Sequence, residues 1–281
     1  MRAMTPTALA LALTAALVHA VWNQVLAGSA NPAARSAVGM IVACLVAAPL
    51  ALVGLRWEAE VWPLAAASVV CELAYFVALS AAYRVAPLGV VYPVARGSAP
   101  VLVLLIGWVV LGQAVAWYAA AGVALVVVGV LLVGGPRHGV RVRHLLLAVA
   151  VGACIAAYTL IDSLALEHAS PVALLVVVLG TTALVQAGAI ATRTGVGPLV
   201  GATLRGPDAW RTLVAGFGIL GAYGLVLVAL LHAPAAPVAA VRETSVVMVV
   251  LLLALTGRER LTTVRLGGAI AVATGVALVV L

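Results

Sequence analysis

The sequence predicts an all-α integral membrane protein in which ten transmembrane helices form two inverted five-helix repeats. The 281 residues are 66% apolar and 8% charged, which leaves more apolar surface than a soluble domain of this size can bury. Ten apolar runs, each of about 18–22 residues, follow one another along the chain. The second half also repeats the first at a spacing of 146 positions.

Each run is long enough to cross the ~30 Å hydrocarbon core as a helix. Strands are excluded because the runs show no apolar/polar alternation, and a spanning backbone must satisfy its own hydrogen bonds. In the first half the runs are Thr7–Ala27, Ala37–Leu55, Leu64–Tyr83, Val90–Leu111 and Val115–Val133. In the second half they are Leu145–Leu164, Pro171–Ala191, Leu213–Leu231, Val238–Leu255 and Val264–Leu281. A Gly/Pro-rich basic linker, 134–139, predicts repeat domains at residues 1–135 and 136–281. The longest predicted loop, Thr192–Arg211, is too short to be a domain.

The internal repeat is clearest around two arginines. Val241–Val247 aligns with Ala95–Val101 without a gap, and Arg242 falls on Arg96. Because five spans per half is an odd number, the second half starts on the opposite side of the membrane and must be inverted. Inverted repeats of this kind are common in secondary transporters, where the substrate site lies near the midplane between them.

The distribution of arginine predicts the orientation. Loops after odd-numbered spans contain eleven arginines, and the other side contains two, which places the odd loops in the cytoplasm and both termini outside. The N-terminal run continues past a possible signal-peptide cleavage site at Ala20, so we expect it to be retained. We expect a multi-pass protein of the inner (plasma) membrane, as a monomer or homodimer in the lipid bilayer. Nucleic-acid binding is not expected, because the arginines are scattered singly.

Arg96 and Arg242 are the leading candidate binding residues, because each places a charge inside an apolar run. An arginine at the centre of such a run costs about 2.5–3.5 kcal/mol on insertion scales. Arginine keeps its proton, and its guanidinium binds a carboxylate, phosphonate or sulfonate through paired hydrogen bonds. The structural alternative is that each arginine caps helix carbonyls or extends to the interface. Pro93 and Pro100 flank Arg96 and favour a protein- or water-lined setting.

Glu72 and Glu243 are the candidate proton-coupling residues. Glu72 is the acid at the middle of the third span, with Tyr75 on the same helix face. A carboxylate at that depth either pairs with an arginine, which would be structural, or takes up and releases a proton, which would couple transport to protons. Glu243 follows Arg242 but points about 100° away from it around the helix. Its alternative role is that of an acid at a helix start.

Further candidate binding residues are polar or aromatic side chains within the spans. They are His19, Trp22 and Asn23 on one face of the first span, Tyr92 one turn before Arg96, Tyr158 one turn before Asp162, and Tyr223, which matches Tyr75 in position. The alternatives are aromatic anchoring at the interface and, for His19, a packing role.

The sequence predicts no enzyme, cofactor or metal site. It contains no His-Glu-x-x-His pattern, no P-loop and no Gly-x-Ser-x-Gly motif. The three cysteines lie singly in apolar runs and predict neither a disulfide framework nor a metal site.

The chain resembles the ten-helix EamA branch of the drug/metabolite transporter superfamily. The resemblance is carried by Leu17–Asn23, by Tyr92–Arg96 with Leu111–Gln113, and by Val241–Val247 followed by Gly257–Leu261. Gln113 stands where the family usually has a glutamate, which we expect to affect a helix-end contact. The resemblance implies a secondary carrier for small metabolites, often amino acids and commonly moved outward. It also implies a central cavity between the two five-helix bundles.

We therefore expect a secondary active transporter, an exporter, antiporter or uniporter, that moves a small anionic or zwitterionic metabolite by alternating access. Arg96 and Arg242 would hold its anionic group, and protons would be the coupling ion. The alternative is a lipid-side flippase or a non-transporting assembly partner.

Overall fold

A computed structural model of the chain describes residues 4–27, 29–85, 88–133, 141–255 and 262–280, and all of their side chains except those of residues 27, 80, 83–85 and 88–92. The predicted linker at 134–139 lies outside these residues, as do the loop arginines at 2, 137, 258 and 260.

The described chain is helical apart from turns and an isolated β-bridge between Trp57 and Ala169. Its helices are α1 (Pro6–Ala27), α2 (Pro32–Leu52), α3 (Val61–Val85), α4 (Leu88–Val109), α5 (Trp117–Val133), α6 (Val142–Ala165), α7 (Pro171–Thr194), α8 (Val196–Leu204), α9 (Ala209–Leu230), α10 (Ala235–Arg242), α11 (Thr244–Leu255) and α12 (Thr263–Val280).

The ten predicted spans are all helices. Spans one to seven are α1 to α7, the eighth is α9, the ninth is α10 with α11, and the tenth is α12. Within the described residues, eight spans are long and apolar enough to cross a membrane, and two shorter apolar helices, Pro93–Val109 and Trp117–Val133, correspond to α4 and α5. The fold is therefore an all-α membrane protein of ten spans.

Two elements differ from the sequence prediction. The loop Thr192–Arg211 contains the short helix α8, which follows directly after Gly195, a residue with φ of 85°. The ninth span is not continuous, because a turn at Glu243 separates α10 from α11. The turn lies immediately after Arg242 and contains no glycine or proline. The backbone there is held by Val246 N–H donating to Glu243 O and by the Thr244 hydroxyl donating to Val241 O.

The packing has the symmetry of inverted repeats. α1 packs against α9 as α6 packs against α3, so the first span of each half contacts the third span of the other half. α2 and α7, the second spans, pack against each other, and so do the last spans, α5 and α12. A two-fold axis in the membrane plane produces this pattern of helix contacts.

Glycines set the α5–α12 contact. A Cβ on Gly122 would lie 2.6 Å from Gly275 O, and a Cβ on Gly129 would lie 2.5 Å from Gly268 O. The two pairs run in opposite chain directions, so the last helices of the halves are antiparallel. Small residues at these positions let the backbones approach closely where lipid supplies no hydrophobic driving force. The glycines are therefore part of the scaffold, as their repeat spacing suggests.

The helices form two groups that mix the halves. The first helix group is α1, α2, α9, α10 and α11, and the second helix group is α3, α4, α6 and α7. Each half contributes its first two spans to one group and its third and fourth spans to the other, as the inverted repeat requires.

In each group an arginine at one membrane face donates a hydrogen bond to a backbone carbonyl at the end of a neighbouring helix. Arg211 Nη1, in the first group, donates to Val25 O near the end of α1 over 3.0 Å. Arg56 Nη2 donates to Leu166 O, just past the end of α6, over 2.7 Å. The last carbonyls of a helix lack partners within the helix and carry partial negative charge, so a guanidinium stabilises them. The two contacts lie on opposite faces and occupy equivalent places in the two repeats.

Candidate functional site

A cavity of about 370 Å³ lies between the two helix groups. The first group lines it with α1, α2, α9 and α10, and the second group lines it with α3, α4, α6 and α7. Its volume falls within the range of pockets that enclose a small molecule, about 300–1,000 Å³. The cavity is mostly apolar, with a few charged and aromatic groups directed towards the same space.

The cavity extends towards the face where α1 ends and α2 begins. Leu26, Pro32 and Ala33 line it there, whereas none of its described lining residues comes from the turns 53–60 or 166–170 on the other face. Those turns are joined to each other, because Ser170 N–H donates to Arg56 O over 2.9 Å and His168 Nδ1 lies 2.7 Å from Glu58 Oε2. By the arginine distribution, the cavity extends to the side predicted to be cytoplasmic.

Arg96 reaches the cavity from α4 and is 6% exposed. Its Nη1 lies 3.3 Å from Glu243 Oε1, and its Nη2 contacts His19 Nε2 on α1. Glu243 lies between α10 and α11 and His19 lies on α1, so both contacts cross to the first helix group. The backbone at Arg96 is also polar, because Pro100 has no N–H to donate to the Arg96 carbonyl and leaves that carbonyl without its usual partner inside α4.

Arg242 reaches the same cavity from the last residue of α10 and is 8% exposed. Its Nη2 donates to the Tyr158 hydroxyl over 3.5 Å, and its Nε is buried without a hydrogen-bond partner. The salt bridges among the described residues do not include Arg242, in contrast to Arg96. Arg242 therefore lines the cavity without a carboxylate partner among the described residues.

Aromatic rings form two walls of the cavity. Tyr158 packs edge-to-face against both Tyr75 and Tyr223, and its ring centroid lies 6.5 Å from that of Tyr75 and 6.0 Å from that of Tyr223. On the opposite side His19 and Trp22 are also edge-to-face, at 4.9 Å. Trp22 Nε1 is buried without a hydrogen-bond partner. Rings in these arrangements are rigid and offer both an apolar face and a polar edge to a ligand.

Two carboxyl groups lie at the inner end of the cavity, where Glu72 of α3 lines it and Asp162 of α6 lies beyond the lining. Asp162 is fully buried, and it accepts a hydrogen bond from the Ser68 hydroxyl over 2.7 Å and another from the Tyr223 hydroxyl. Glu72 is 6% exposed, and its Oε2 has no hydrogen-bond partner. This acid cluster (Ser68, Glu72, Asp162 and Tyr223) joins both helix groups.

The comparisons with known proteins agree with this architecture. The model of the EamA-like transporter family matches residues 6–135 and again residues 142–281. The chain belongs to the EamA-like transporter family. A chain of known structure, described only as "Crystal structure of protein", superposes on the transporter with a TM-score of 0.78 at 17% identity, covering 96% of this chain and 94% of that one. That likeness concerns the fold alone. None of the curated proteins matches the transporter's sequence.

Most of the predicted site residues meet in the transporter's cavity between the two helix groups. Its lining includes His19, Trp22, Asn23, Glu72, Tyr75, Arg96, Tyr158, Tyr223 and Arg242. Tyr92 belongs to α4, but its side chain lies outside the described residues. Glu243 is 1% exposed and is not among the lining residues, because its side chain is turned to Arg96. The roles of all these residues in the transporter remain predictions.

Sequence reasoning missed the importance of Asp162. It was noted only as a neighbour of Tyr158, although it is an acid inside an apolar run and so meets the same criterion as Glu72. Ser36 and Met40 of α2 also line the transporter's cavity. No signal in the sequence distinguishes these two from other residues of the second span, because small and apolar side chains are common in any membrane helix.

Proposed function

We propose that this protein is a secondary active transporter of a small metabolite that carries a carboxylate or a similar anionic group. The observation that supports it best is the placement of Arg242, a buried guanidinium that lines the cavity, has an unpartnered Nε and takes part in no described salt bridge. A buried donor left without a partner costs about 1–3 kcal/mol, and more when the group is charged. An anionic ligand would supply the missing acceptor.

The rest of the cavity favours a zwitterion such as an amino acid. A carboxylate bound by Arg242 would lie beside the tyrosine wall of Tyr75, Tyr158 and Tyr223, whose ring faces attract a cation. Trp22 Nε1 adds a second unpartnered donor for the anionic end. The two charges of an amino acid would therefore find separate partners.

Alternating access would occur by movement of the two helix groups relative to each other. Four contacts cross from one group to the other near the cavity: Arg96 to Glu243, Arg96 to His19, Arg242 to Tyr158, and Tyr223 to Asp162. An opening towards the opposite face would have to break contacts of this kind. A ligand held by Arg242 and Arg96 together would touch both groups, which is how binding could favour the movement.

The experiment is transport by purified protein in liposomes, using a panel of radiolabelled amino acids and organic acids. Arg242→Gln removes the charge but keeps a polar side chain of similar length, and Arg205→Gln is the matched control, because Arg205 is exposed in the turn after α8. We expect one soluble class to be transported by wild type and by Arg205→Gln, and not by Arg242→Gln. Transport by Arg242→Gln at the wild-type rate would refute the binding role. If the protein moves none of the soluble compounds and moves only lipids, the result would favour a flippase.

A further inference from the structure

We propose that Glu72 and Asp162, with the Tyr223 hydroxyl beside them, form a proton-binding pair that is separate from the arginines and carries a proton together with the anionic ligand. This inference rests on the proposed transport function and names its coupling site. The pair joins α3 and α6 of the second helix group to α9 of the first.

The first argument is geometric. Tyr223 donates its hydroxyl proton to Asp162, and the same hydroxyl also lies beside the carboxyl of Glu72. Ser68 donates to the other oxygen of Asp162 over 2.7 Å. Glu72 lines the cavity, whereas Asp162 does not and lies near the end of α6, next to the closed turn 166–170, so Asp162 is the acid nearer to the closed face. A proton that enters from the cavity would meet Glu72 first.

The second argument is that the cluster has unused hydrogen-bonding capacity. Glu72 Oε2 and Thr182 Oγ1 are buried, and neither atom meets the geometric criteria for a hydrogen bond, although the Thr182 and Tyr223 hydroxyls both lie within reach of the Glu72 carboxyl. A carboxylate oxygen can only accept, whereas a protonated carboxyl can also donate. One proton on the pair would therefore turn an unpartnered acceptor into a donor within a cluster of oxygen atoms.

The third argument is the charge balance. Near the cavity the described residues place two guanidinium groups, those of Arg96 and Arg242, against the three carboxyl groups of Glu72, Asp162 and Glu243. Glu243 is paired with Arg96 over 3.3 Å, so Arg242 is left to balance two acids. A buried charge without compensation is costly, and one bound proton removes the excess. When a ligand with a net negative charge then occupies Arg242, a second proton keeps the balance, which couples such a ligand and the proton in the same direction.

The groups around the pair are consistent with this assignment. Five titratable or charged side chains interact electrostatically or by hydrogen bonds with Glu72 or Asp162: Cys44 of α2, Cys71 of α3, Tyr158 of α6, Tyr223 of α9 and Arg242 of α10. Arg242 is the cation in this set, and no described salt bridge joins it to either acid. The pair is therefore held by hydroxyl groups rather than by a fixed ion pair, which leaves its proton exchangeable.

The test is infrared spectroscopy of the reconstituted full-length protein across a pH series in potassium buffer, without a ligand. Wild type should show a protonated-carboxyl band that disappears as the pH rises. Glu72→Gln and Asp162→Asn should each remove this band or change its pH midpoint, because the two acids share the proton. Glu60→Gln is the matched control, since Glu60 is an exposed acid in the turn before α3, and it should leave the band unchanged.

Three results would overturn the proposal: no titrating buried carboxyl in wild type, a band that Asp162→Asn leaves at the wild-type midpoint, or a band that sodium abolishes at constant pH. If Asp162→Asn does not fold, Tyr223→Phe takes its place, and an unchanged band frequency in that variant would be equally contradictory. Arg242→Gln separates this proposal from the transport proposal. It should lose ligand binding and keep the carboxyl band, so either proposal can fail without the other.

Discussion

Replacing Arg96 by glutamine should destabilise the folded protein, because it leaves a carboxylate buried without its cation. Glu243 is 1% exposed, its Oε1 forms an ion pair with Arg96 over 3.3 Å, and its other oxygen, Oε2, already has no hydrogen-bond partner. Breaking a buried ion pair from one side costs about 3–5 kcal/mol. Removing both charges is far less costly, so the double variant Arg96→Gln/Glu243→Gln should recover most of the lost stability.

The assay is equilibrium unfolding in mixed detergent micelles for wild type, both single variants and the double variant. The interaction energy of the double-mutant cycle should be at least about 1.5 kcal/mol, since hydrogen bonds to charged groups are worth about 1.5–3 kcal/mol. Additive single effects, or an Arg96→Gln variant as stable as wild type, would refute the pairing. Arg242 takes part in no described salt bridge, so Arg242→Gln does not leave a directly paired carboxylate behind, and ligand binding is therefore tested there rather than at Arg96.

Two further predictions concern the scaffold. Gly129→Leu should destabilise the protein by about 1–3 kcal/mol, because a Cβ there would lie 2.5 Å from Gly268 O, whereas Gly188→Leu, which meets nothing within 4 Å, should have little effect in the same unfolding assay. Equal effects of the two substitutions would contradict the close α5–α12 packing. Arg56→Ala should speed hydrogen exchange at the end of α6, and Arg211→Ala should do so at the end of α1, because each arginine binds carbonyls there. Unchanged exchange at both ends would show that these contacts do not hold the helix ends.

The positions of the spans could be predicted from the sequence because lipid imposes a length and a composition on every crossing helix. The inversion followed from counting spans, since an odd number per half allows one relative orientation. The glycines of α5 and α12 could also be assigned to packing, because their seven-residue spacing recurs in both halves. These features depend on local sequence or on the repeat.

The features that could not be predicted depend on contacts between distant parts of the chain. Arg96 and Glu243 are 147 positions apart, and nothing near either residue indicates the other as its partner. The break after Arg242 has no glycine or proline to mark it. The mixing of the halves in the two helix groups likewise requires knowledge of which helices pack together. Asp162 was recognisable as a buried acid, but its place beside Glu72 depends on the α3–α6 contact.

The central claim is that the cavity between the two helix groups binds an anionic group through Arg242. The most direct measurement is the thermal stability of the purified protein with matched pairs of compounds, each pair consisting of a carboxylate and its carboxamide. Losing one charge-assisted contact of about 1.5–3 kcal/mol weakens binding roughly 10- to 150-fold. We predict that the carboxylate of at least one pair stabilises wild type, that its carboxamide does not, and that Arg242→Gln abolishes the difference. Equal stabilisation by the carboxylate and its carboxamide, or a difference that survives in Arg242→Gln, would contradict the claim.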